Sequence, residues 1–296
     1  MKPGASIQLQ FLLAIIFILS IEGSAQTTSV STQDTLMKVY EEEINAWHAR
    51  RMTSLTREHS WLSLIAREWL KEGANEFAGV GNVIQKGTSI TVELAPDVKA
   101  TVAGKPFIGG MIKTDAEKGG PEKVEMGTRA FTVIKRGERF ALRMWDSNAE
   151  SRKNFKGIER YPVSEKWRIE AKWMPYNPPK QIKVATVVAD LFDDYSVPGV
   201  ATFQLDGKEY KLEPVLEEGA RDLFFIMADA TSGKETYGGG RFLYAPQAKD
   251  GKVILDFNKA YNPPCAFTQF ATCPLPPASN RLTVRIEAGE KKYGDH

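Results

Sequence analysis

From residue 34 onward the apolar positions recur at helical spacing: Leu36, Val39, Tyr40, Ile44, Trp47 and Met52, with Asp34 placed as an N-cap. A second run, Trp61, Leu62, Leu64, Ile65, Trp69 and Leu70, predicts another helix over 60–71, ended by Gly73. Beyond Glu76 the texture changes to short runs separated by Gly and Pro. Those at 83–84, 89–94, 99–102, 130–134 and 140–144 predict strands. The clearest is 167–173, where Trp167, Ile169, Ala171 and Trp173 fall on one face and Arg168, Glu170 and Lys172 on the other. The prolines at 175–179 should end it. Further strands are expected at 183–189 and 200–205, then through a hairpin turn at Asp206-Gly207 into 210–212. Others follow at 223–228, 241–244, 253–256 and 281–286. Helices do not alternate with strands after Gly73, which argues against a parallel Rossmann-type sheet. The expected fold is mainly β, with antiparallel sheets in a sandwich or barrel-like arrangement. It is one module over 34–296, a helical pair (34–73) packed on a β region (74–296).

The first 25 residues read differently. Lys2 precedes an apolar run from Phe11 to Ile21, and Gly23-Ser24-Ala25 offers small residues for cleavage before Gln26. That run is about half of the roughly 20 residues a membrane-crossing helix needs. No cysteine follows it closely enough to take a lipid. The expectation is a signal peptide (1–25) and an exported protein, periplasmic or extracellular, with no stable membrane anchor after cleavage. The Ser/Thr/Gln-rich stretch 26–33 is expected to be a disordered leader.

Composition narrows the partners. A formal net charge of +2 gives no basic excess, so nucleic acid is not an expected partner. Candidate chemistry concentrates in 229–290, where both cysteines and a cluster of prolines lie between apolar runs. Fixed turns of this kind aim polar side chains. In an exported chain, Cys265 and Cys273 are expected to form a disulfide. Two thiols with no histidine near them in sequence do not make a metal site, and neither a metal nor another cofactor is expected.

Three carboxylates, Asp229, Glu235 and Asp256, are candidates for acid–base catalysis in a hydrolase. A binding site asks for less. Arg143, Arg152 and Arg241 could present guanidinium forks to an anion, Tyr237 and Tyr261 aromatic walls, and Asn258 and Asn262 polar anchors. Phe242 and Phe267 would add to the walls. The ligand would be a small molecule, anionic or sugar-like. Alternatively, Arg241 pairs with Asp229 or Asp256 in a purely structural network. Arg143, Asp229, Glu235, Tyr237, Arg241, Asp256 and Asn258 are expected to converge on one cavity.

Several motifs carry a family resemblance. Asp256-Phe257-Asn258, Tyr261-Asn262-Pro263-Pro264-Cys265 and Cys273-Pro274-Leu275-Pro276-Pro277 closely resemble a bacterial and archaeal family known only as a domain of unknown function, DUF1684. Arg143-x-x-Asp146, Phe155-x-Gly157-Ile158 and Trp61-Leu62-x-Leu64 extend the likeness upstream. The chain departs from it at Ala66-Arg67-Glu68. The resemblance implies one module over nearly the whole mature chain, and it implies no activity.

Overall fold

Period-two alternation is what assembles this chain. The computed structural model describes residues 32–217 and 219–294. The expected signal peptide and most of the expected leader lie outside them. Helix α1 (Thr32–Leu55) begins within the last two residues of that leader.

Two antiparallel sheets share the first core. One has six strands, in the order Leu64–Trp69, Arg139–Asp146, Arg129–Arg136, Val124–Met126, Ala100–Val102 and Lys105–Phe107. The other runs Gly73–Phe77, Gly81–Lys86, Ser89–Leu94 and Gly110–Ile112. Val83, Val92, Phe131, Val133 and Leu142 are buried in this core. Alternation then turns Arg143 and its register partner Thr132 to the opposite face.

A second core lies under a sheet ordered Lys208–Leu212, Phe192–Leu205, Arg168–Ala185 and Lys252–Asp256. A two-stranded sheet, Leu223–Met227 with Arg241–Ala245, packs there too. Phe203, Phe225, Leu243, Leu255 and Phe257 fill this core. The strands are antiparallel throughout these sheets, and the fold is mainly β as expected.

Three expectations need correction. The second helix is absent: Trp61–Ser63 is a single 3-10 turn leading into the strand Leu64–Trp69. Its apolar residues fall on both faces because both are covered. One side meets the first core through Ile65 and Ala66. The other meets the segment near 268–271, where Thr268 Oγ1 donates to Leu64 O and Arg67 Nη1 to Ala271 O. A short apolar run covered on both sides has no distinctive period.

The prolines at 175–179 do not end their strand. The ladder loses register between Pro175 and Lys180, and Arg168–Ala185 continues along its partner. Proline there removes ladder donors without redirecting the chain. Lastly, 281–286 forms no regular strand: it has a bridge at Arg281, Leu282 N donates to Ala228 O and Val284 O accepts from Ala230 N, and from Ile286 onward its carbonyls turn to a buried arginine described below.

Helix α1 is docked by polar groups more than by an apolar stripe. Tyr40, Ile44 and Leu55 are buried, while Leu36 is 62% and Val39 59% exposed. Tyr40 donates its hydroxyl to Asp256 Oδ1 at 2.7 Å. Arg51 pairs with the fully buried Glu290, donates to Asn262 O at 2.8 Å, and lies 4.4 Å over the Tyr261 ring. These contacts hold the C-terminal half of α1 above the second β region.

Candidate functional site

The residues expected to form one site are distributed over several. In Arg241–Ala245 the side chains alternate. Arg241, Leu243 and Ala245 are buried with the second core, whereas Phe242 and Tyr244 face the other way, beside Phe224. Arg241 therefore cannot share a cavity wall with Phe242.

Arg241 is 1% exposed. It donates Nη2 to Asp229 Oδ2 at 2.7 Å and to Ile286 O at 3.0 Å. Its Nη1 donates to Ala288 O and, at 3.4 Å, to Glu290 O. Three alternate carbonyls thus converge on one guanidinium, which occupies acceptors of 286–290 that a strand ladder would otherwise use. Asp229 completes the set, accepting from Thr231 N at 2.8 Å, Thr231 Oγ1 at 2.6 Å and Ile286 N at 3.2 Å. This is the structural network. Asp229 is 6% exposed, and its carboxylate is committed to these four donors.

Asp256 and Asn258 serve the helix. Asn258 Nδ2 donates to Tyr40 Oη at 2.9 Å and to Ser164 O at 2.9 Å, beside the Tyr40–Asp256 bond. Glu235 is at the surface, accepting from Arg285 at 2.7 Å and Tyr161 at 2.8 Å, and these donors hold its carboxyl below the usual range. Arg152 ties the short helix Glu150–Lys153 to the end of α1, donating to Thr56 O at 2.9 Å and Ser147 O at 2.8 Å. Tyr237 lines a separate space with Cys265 and donates to Cys265 O at 3.3 Å.

Cys265 and Cys273 are free thiols in this structure, which does not show the expected disulfide. The Cys273 sulfur accepts the Cys265 N–H at 3.0 Å, an alternative use of the same proximity. Burial pushes the Cys273 thiol up, which keeps it protonated.

A different set of residues does converge. Between the C-terminal half of α1, the turn at Trp61 and the second β region lies a cleft of about 600 Å³. Its walls are aromatic: Trp47, Trp61, Tyr195, Phe224, Phe242, Tyr244, Tyr261 and Phe267. Phe224 stacks on Tyr244 with centroids 4.8 Å apart, and Tyr244 lies near-parallel to Tyr261 at 6.3 Å. Asn262 lines the same space and is fully buried; its Nδ2 donates to Lys291 O, and its Oδ1 has no partner among the described residues. Tyr244 donates to Glu217 at 2.6 Å at the rim.

The cleft continues into a second space of about 460 Å³. Trp61, Tyr195, Glu217, Phe242, Pro264 and Pro274 line both. Arg143 lies in this second space. Its guanidinium is 5.2 Å from the Trp61 ring centre, and burial lowers its pKa to about 10, which leaves it charged at neutral pH. So Arg143, Phe242, Tyr261, Asn262 and Phe267 are brought to these two joined spaces, and the other expected site residues are not.

Sequence reasoning missed Trp47, Arg51, Trp61, Tyr195 and Tyr244. Three of these were readable. Trp47 and Arg51 stand four apart on α1 and share a face, and Tyr244 follows Phe242 by two on a strand. Among the described residues, no cluster of His, Cys, Asp and Glu could hold a metal ion, and no helix is long and apolar enough to cross a membrane.

Residues 153–291 match a family model described as "Protein of unknown function (DUF1684)". The matched stretch holds Tyr195, Phe242 and the loop from Tyr261 to Pro274, whereas Trp47, Arg51, Trp61 and Arg143 precede it. Among solved structures, the chain is similar to the solution NMR structure of an uncharacterized protein of Haloarcula marismortui. The identity is 31%, with 50% of this chain and 82% of that one covered and a TM-score of 0.42. No curated protein matches.

Proposed function

Since the chain belongs to DUF1684, a family of proteins of unknown function, we propose that its working part is the aromatic cleft and that the cleft takes up a small molecule with a flat apolar face. The observation that carries this reading is the wall itself. Eight aromatic rings from α1, the Trp61 turn, three strands and the 261–267 loop border one open space of about 600 Å³. Concave, mostly apolar spaces with a few polar groups are the usual form of a ligand site. Tyr244, 39% exposed, is an aromatic ring left partly open to solvent at its edge.

The test is thermal denaturation of the protein against sugars, organic acids and aromatic compounds. A ligand present at 100 times its dissociation constant adds about 2.7 kcal/mol of stability. Tyr244→Ala should leave the fold intact and remove most of that gain. A gain that survives both Tyr244→Ala and Trp61→Ala would place the ligand elsewhere.

The same proposal includes export. Lys2, the apolar run from Phe11 to Ile21 and Gly23-Ser24-Ala25 support cleavage after Ala25. Mass spectrometry of the protein from its native cells should find a chain beginning at Gln26. Retention of Phe11 would contradict it. In this reading the six- and four-stranded sheets that share the first core form a sandwich.

A further inference from the structure

The inner end of the cleft indicates what its ligand carries. Arg143 is 8% exposed, and its Nε is buried with no hydrogen-bond partner among the described residues. Among the described residues no carboxylate makes an ion pair with it, although Asp193, Asp194 and Glu217 line the same space. Its neighbours in register are Arg67 and Thr132, and Thr132 Oγ1 is likewise buried without a partner. The carboxylate whose charge reaches it, Asp115, is already held by Arg136 at 2.6 Å.

A buried charge ordinarily has a counter-ion or a full set of acceptors, since leaving it bare costs several kcal/mol. Arg241 in this same chain also has an unpartnered Nε, but it has a counter-ion in Asp229 and three carbonyl acceptors. Arg143 has the Trp61 ring, and it is aimed into a space continuous with the aromatic cleft.

We propose that Arg143 anchors the carboxylate of a small aromatic monocarboxylic acid, whose ring system lies along Trp61, Tyr195 and Phe242. This rests on the cleft being the binding site. A planar carboxylate accepts two parallel N–H bonds from one guanidinium, which suits a single unpaired arginine. A dianion such as a phosphate monoester fits less well. Asp193, Asp194 and Glu217 line the same space and oppose a second negative charge.

The experiment compares three probes at pH 7 on the whole protein: 2-naphthoate, 2-naphthamide and 2-naphthyl phosphate, by calorimetric titration. The acid and the amide share one ring system and differ in charge. The acid should bind about tenfold or more tightly than the amide, the scale of a charge-assisted pair of hydrogen bonds. Arg143→Lys should remove most of that advantage and leave the amide unchanged. Tyr244→Ala should weaken both. Equal binding of acid and amide, with Tyr244→Ala still weakening them, overturns the carboxylate anchor and leaves the cleft standing. Tighter binding of the phosphate overturns it in favour of a dianion site. Binding of none of the three overturns the anchor and the cleft reading together. The acid–amide comparison is made on the unaltered protein, so it holds even if Arg143→Lys fails to fold.

Discussion

Asp229→Ala should damage the fold and spare the cleft. The carboxylate accepts from Arg241 at 2.7 Å, from Thr231 N and Oγ1 at 2.8 and 2.6 Å, and from Ile286 N at 3.2 Å. Removing it leaves a guanidinium at 1% exposure with carbonyls for company and no negative charge. Breaking a buried pair by deleting one partner typically costs about 3–5 kcal/mol. The three carbonyls remain, which puts the expected loss near the lower end, about 3 kcal/mol. At roughly 2–4 °C per kcal/mol for a large domain, that is a fall in Tm of about 6–12 °C. The assay is equilibrium urea unfolding of the wild type, Asp229→Ala, Arg241→Met and the double variant. The two single losses should not add, because the second deletion removes the charge that the first left bare. A loss under about 1 kcal/mol for Asp229→Ala, or strict additivity in the double variant, would refute the reasoning.

Two other predictions concern the helix. Tyr40→Phe removes the 2.7 Å bond to Asp256 and the acceptor of Asn258 Nδ2. Hydrogen exchange should then accelerate along Thr32–Leu55 with little change in Leu223–Met227; unaltered protection of the helix would count against polar docking. His48 has a buried Nε2 with no partner among the described residues, and burial holds its pKa below the ordinary imidazole value. The unfolded state therefore binds the proton more readily, so stability should fall as pH drops from about 6.5 through the folded pKa. His48→Gln should flatten that fall between pH 7.5 and pH 5.5 in urea midpoints. An unchanged pH dependence would exclude His48 as its source.

How legible the chain was depended on the kind of pattern. Strands with one covered face could be read directly: 167–173 alternates because Ala171 enters the core while Lys172 meets solvent. Leu64–Trp69 was misread as helix because both its faces are covered, which erases the period that separates helix from strand. Site residues failed for a related reason. Grouping Arg241 with Phe242 ignored the alternation that places neighbours on opposite faces of a strand. The pairing of Arg241 with Asp229 was among the readings the sequence offered. Its three carbonyl acceptors were not, since nothing in the side chains of 286–290 announces how their backbone is used. The cleft needed the tertiary fold. Trp47 and Arg51 precede Tyr261 and Pro274 by over two hundred residues and meet them through the docking of α1.

The cleft as a binding site is tested most directly by a crystal of this protein soaked with 2-naphthoate. The account predicts density for the ring system between Trp61 and Phe242, with the carboxylate within hydrogen-bond distance of the Arg143 guanidinium. Density at another place on the molecule, with the cleft holding solvent alone, would contradict it.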